Sequence, residues 1–145
     1  MKFKDAESYI QRCTESTRSL AEAAVCDAVA EMSSMGLHVT GSCVLLGSGR
    51  PTGDLAKILS AHPLIHTAEG EFFRNALSQA CESCGLKFSG VKERDLVNHA
   101  ATVFRMPVAE LERRATELGK GIGPPWTQDQ KLSAIAAWLL LADRH

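Results

Sequence analysis

Two segments of the chain read as β-strands, LHVTGSCVLLG at residues 37–47 and LKFSGVK at residues 86–92. Both mix β-branched and apolar residues and are bounded by glycines, and Val44, Leu45 and Leu46 form the continuous apolar run of a strand covered on both faces. The stretch between them is strongly helical. Strand, helix, strand implies a parallel pair joined by a right-handed crossover, so the fold class is α/β: a small, mostly parallel sheet flanked by helices. Two strands are few for such a sheet. Either a third lies in a weak segment such as residues 63–66, or another subunit supplies one.

Helical patterns account for the rest. Residues 5–36 form an N-terminal helical segment in which Tyr9, Cys13, Leu20, Ala24, Ala28 and Met32 make one apolar stripe. The polar patch TESTRS interrupts the stripe, with Thr14 or Ser16 suited to cap a second helix, and Gly36 stops the segment. Thr52 is placed to cap a short helix carrying Leu55, Ile58 and Leu59. His62-Pro63 should break the chain, with the next helix capped by Thr67, running over residues 67–84 and stopped by Gly85. Further helices are expected over residues 93–104, from Pro107 to a stop at Gly119, and from a capping box of Thr127 and Gln130 through KLSAIAAWLLLA. There is no internal repeat or linker, so residues 1–145 read as one domain.

Composition excludes several classes. Of 145 residues, 45% are hydrophobic, too many for a disordered chain. The longest apolar run, residues 134–142, is far short of the ~20 needed to span a bilayer, so no membrane partner is expected. Lys and Arg number 16 against 17 Asp and Glu, which gives neither a basic field for nucleic acid nor a polybasic membrane anchor. The N-terminus lacks the apolar core of a secretory signal, and five cysteines, an odd number, do not suggest a secreted disulfide framework. A cytoplasmic location is the expectation. Cys13, Cys26 and Cys43 read as small core residues. CESC, residues 81–84, sits at a helix C-terminus, where the dipole does not favour a thiolate, so Cys81 and Cys84 should be buried or half-buried, unpaired and metal-free.

Three places carry candidate chemistry. HPLIHTAEGEFFR, residues 62–74, gathers His62, His66, Glu69, Glu71 and Arg74 at a helix start, where carboxylates and imidazoles could hold a divalent metal or exchange protons. Acids in a first helical turn also simply favour the positive end of the dipole. GSGR, residues 47–50, follows a strand and offers backbone amides and the Arg50 guanidinium to a phosphate, at the strand end where ligands of open α/β sheets collect. It matches neither the P-loop nor the G-x-G-x-x-G spacing, and an ordinary turn would look the same. Asp129 opens the last helix, where dipole and capping box explain it equally well.

The order of a strand, a long helix, the strand LKFSGVK and helices ending in DQKLSAIAAWLLLADRH resembles the second half of the RuvC branch of the ribonuclease H-like fold. The patterns IHTAEGEFFR and GPPWTQDQK also resemble those of an uncharacterised bacterial family. The first resemblance implies a fold incomplete at its N-terminal strands and phosphodiester hydrolysis by carboxylates around magnesium. Asp129 stands at a matching place. The central strand HVTGSCVLLG carries no acid, however, and Leu132 occupies the position of a second helix acid.

Three functions compete. Most of the metal site is missing, which favours a non-catalytic or repurposed ribonuclease H-like binding module in nucleic-acid metabolism. A metal-dependent phosphodiester hydrolase would use His66, Glu69, Glu71 and Asp129. A binder of phosphate-containing small molecules would use Arg50, His62, His66 and Arg74 around GSGR. A homodimer would cover the strand edges and the apolar stripe of the N-terminal helix.

Overall fold

The computed structural model describes residues 3–49 and 53–142 and contains six helices and two strands among them. In chain order these are α1 (Phe3–Ser34), β1 (Ser42–Leu46), α2 (Leu55–Leu59), α3 (His62–Ser83), β2 (Phe88–Lys92), α4 (Glu93–Val103), α5 (Val108–Ile122) and α6 (Gln128–Ala142). β1 and β2 pair in parallel, with Ser42 opposite Phe88 and Leu46 opposite Lys92. The fold is α/β with helix dominating. Residues 63–66 lie in α3, so the third strand looked for there is absent.

The helices behind the sheet make the main core. Leu96 and Ala100 of α4, Leu111 and Ala115 of α5, and Leu132, Ile135, Ala136 and Leu139 of α6 are buried together. Cys43 and Leu45 of β1 and Val91 of β2 pack against this cluster from the sheet. Trp126 closes its edge: the indole Nε1–H donates to the Ala115 carbonyl at 2.9 Å, and the ring lies so close to Gly119 that a Cβ there would stand 2.2 Å from it. The expected stop at Gly119 is therefore incorrect. α5 runs through it to Ile122, and the glycine serves the approach of Trp126 rather than a helix end.

Three other boundaries differ from expectation for local reasons. α1 is unbroken across TESTRS, because the Thr14 hydroxyl donates to the Ile10 carbonyl and the Ser19 hydroxyl to that of Glu15 instead of capping anything. α3 begins at His62 with Pro63 in its first turn, where the missing amide costs no hydrogen bond. Thr67 is inside the helix, its hydroxyl donating to the Pro63 carbonyl at 3.0 Å, so Glu69 and Glu71 lie beyond the first turn. α2 is capped by Asp54, whose carboxylate accepts from the Lys57 amide at 2.8 Å; Thr52 lies outside the described residues.

The glycine stops after α1 and α3 hold. Gly36 and Gly85 adopt φ of 77° and 75°, and the amides of Leu37 and Leu86 bond back to Met32 and Cys81. The capping box also holds in part, with the Gln130 side chain accepting from the Thr127 amide at 2.9 Å.

α1 packs on α3 through Ala6, Cys13, Thr17, Ala21, Val25 and Val29, half-buried positions spaced three to four apart, or multiples of that, and mostly small enough for close approach. Tyr9, Leu20, Ala24, Ala28 and Met32, five of the six stripe residues, remain exposed. A disulfide between Cys26 and Cys84 ties the two helices, which corrects both the core reading of Cys26 and the unpaired reading of Cys84. The bond needs oxidised thiols, so the cysteines give no argument for a reducing compartment. Cys81 is a buried free thiol, as expected. No helix among the described residues is long and apolar enough to cross a membrane.

Candidate functional site

Because β1 and β2 are parallel and paired to their last residues, both chains leave the sheet at the same edge. β1 passes into Gly47, Ser48 and Gly49, while β2 passes through Lys92 directly into α4. The first half of α3 crosses this edge. Together they enclose a cleft of about 970 Å³. The loop after β1 forms one wall and Lys92 and Arg94 another, with His66, Thr67, Gly70, Glu71, Arg74 and Asn75 of α3 lining the third.

Arg74 organises the cleft. It is half-buried, and its Nε–H donates to the Leu45 carbonyl at 2.9 Å, fixing the guanidinium against the end of β1. The group lies between two glycines. A Cβ on Gly70 would stand 2.7 Å from its Nη1 and one on Gly47 3.1 Å, so any side chain at Gly70 would displace it. Beside it, Gly49 allows the loop onto α3, since a Cβ there would come within 2.4 Å of the Thr67 methyl. GSG and the T-x-x-G of α3 are thus two halves of one slot.

The electrostatics follow from what is left unpaired. Among the described residues neither Arg74 nor Lys92 has a carboxylate within ion-pair distance, and Arg94 has Asp95 at 3.5 Å. The Nη groups of Arg74 have no protein acceptor there. Glycine-loop amides, a partly desolvated guanidinium and a lysine at the carboxyl edge of parallel strands can accept an anion, and the guanidinium fork suits phosphoryl or carboxylate oxygens.

The other candidates fall in different places. His66 and Glu71 line the cleft, whereas His62, stacked on His66, and Glu69, 3.5 Å from His66, lie outside its lining. Asp129 is in the first turn of α6, which packs on α4, α5 and β1. No group of three or more His, Cys, Asp and Glu among the described residues is placed to hold a metal ion, so His66, Glu69, Glu71 and Asp129 do not form one centre. Arg50 lies outside the described residues.

Sequence reasoning missed Lys92, Arg94 and Gly70. KERD reads naturally as acids opening a helix, yet its two cations follow a strand end just as GSGR does. That shared position was the available signal. Comparison with family models, curated proteins and solved structures finds no match to this chain.

Proposed function

We propose that the protein binds a phosphate-containing small molecule, seating a phosphoryl group against Arg74 and the loop of Gly47, Ser48 and Gly49. The observation that carries this reading is Arg74, held at the strand edge by Leu45 and slotted between glycines, with its outer nitrogens unpartnered among the described residues. Titration calorimetry with inorganic phosphate, a nucleotide panel and a single-stranded oligonucleotide tests it. Charge-assisted hydrogen bonds are worth about 1.5–3 kcal/mol, so Arg74→Ala should weaken binding roughly 10- to 150-fold. Gly70→Ala should weaken it as well, by displacing the guanidinium. Absence of anion binding, or affinity unchanged in Arg74→Ala, would remove the reading.

A second reading, the repurposed ribonuclease H-like module in nucleic-acid metabolism, is favoured only by the cations at the rim, Lys92 and Arg94. A preference for the oligonucleotide with a steep salt dependence would select it.

We infer also that a second copy of the chain covers the exposed stripe of α1. The chain exposes 9973 Å², whereas a compact monomer of 15.7 kDa exposes about 7,300 Å². The excess exceeds the surface a standard interface removes from two partners. The stripe is self-complementary in charge: antiparallel pairing about Leu20 brings Arg12 of one copy alongside Asp27 and Glu31 of the other. Light scattering during size exclusion checks it, and a mass fixed at that of one chain would refute it.

A further inference from the structure

The first turns of α3 carry a feature that the anion reading does not use. His62 is the first residue of the helix and His66 lies four residues on, so the two imidazoles stand one above the other. Their rings cross nearly at right angles, with centroids 4.5 Å apart, and the two Nε2 atoms approach to 3.0 Å. That contact is a hydrogen bond in which one nitrogen donates to the other, and the same two atoms, both deprotonated, can chelate one cation lying off the line between them.

The surroundings favour a cation. His66 Nδ1 lies 3.5 Å from Glu69 Oε2. A carboxylate on the far nitrogen is the usual orienting partner of a metal-binding histidine, because it holds the proton at Nδ1 and leaves the lone pair on Nε2. Here that Nε2 lies 3.0 Å from His62 Nε2. Both rings are exposed, so a hydrated ion reaches them without any opening of the fold. The positive end of the α3 dipole works against a cation at this place, and Glu69 offsets it.

The spacing suits cis coordination of one ion by both imidazoles. With metal–nitrogen bonds of about 2.05 Å, a 3.0 Å separation subtends roughly 95° at the metal. That is the cis angle of square-planar or octahedral coordination, not the tetrahedral angle that zinc prefers. We propose that His62 and His66 form a two-imidazole chelate for a divalent late transition ion of the nickel or copper type, oriented by Glu69. This site needs no phosphate in the neighbouring cleft, although His66 also lines that cleft.

The test is titration of the whole chain with Ni(II) alone, by calorimetry, in a buffer free of phosphate. The expected result is one ion bound at micromolar affinity. His62→Ala and His66→Ala should each weaken it at least tenfold, Glu69→Gln less so, and His99→Ala on α4 not at all. All four positions are exposed, so unchanged thermal unfolding separates lost binding from lost folding. No Ni(II) binding, or affinity kept within twofold in His62→Ala or His66→Ala, would overturn the site. Tighter binding of Zn(II) than Ni(II) through the same two residues would overturn the assigned ion type.

Discussion

Gly119 and Gly121, two positions apart on α5, show that a residue's role depends on what faces it. A Cβ at Gly119 would collide with the Trp126 ring at 2.2 Å, whereas a Cβ at Gly121 meets nothing within 4 Å. Gly119→Ala should destabilise the protein by about 1–3 kcal/mol through overpacking, less the gain in helix propensity. Gly121→Ala should stabilise it by up to about 1 kcal/mol, since only the propensity changes. Urea unfolding of the two variants measures both signs. The sequence pattern GKGIGPP suggests a stop and a stiff connection, and it is silent on the indole that arrives from Trp126. Arg74 was open to sequence reasoning because it follows the helical register of residues 62–74. Its slot was not, because Gly47 and Gly70 meet only once the crossover closes.

The helices whose boundaries were legible are those with local signals, such as the glycine stops at Gly36 and Gly85. Those that were not turned on alternative hydrogen bonds, such as the hydroxyls of Thr14 and Thr67 bonding within a helix instead of capping one. α5 adds a consequence for pH. Glu110 accepts from Arg113 at 2.8 Å and from Arg114 at 2.7 Å, and these bonds, that from Arg113 above all, hold its carboxyl at about 2 against an ordinary 4.5. A carboxyl held low in the folded chain contributes stability above its ordinary value and loses it as the pH falls from 4.5 towards 2. The three side chains lie at the surface, so the effect is small. Thermal unfolding of wild type should decline more steeply over that window than that of Glu110→Gln. Parallel curves would show that the cluster does not contribute.

At the scale of the whole molecule, α1 is the element least accounted for by the chain's own packing. Its 32 residues extend for about 48 Å, longer than the roughly 38 Å diameter of a compact domain of this size. Leu20, 70% exposed, lies at the middle of the uncovered stripe, and Phe73 of α3, 53% exposed, adds to the apolar surface outside the core. Leu20→Glu should therefore halve the mass measured by light scattering while leaving helix content unchanged. The sequence showed the stripe clearly but could not show that α3 would take the adjacent face. The Cys26–Cys84 bond adds a property that no packing contact has. It closes residues 26 to 84 into a covalent ring that holds β1, α2 and α3, with a tail leaving at each cysteine. One protease cut inside the ring opens it without releasing a fragment. Nicked protein should run at 15.7 kDa on a gel without reductant and part into two pieces when dithiothreitol is added, whereas a cut in either tail should shed mass at once.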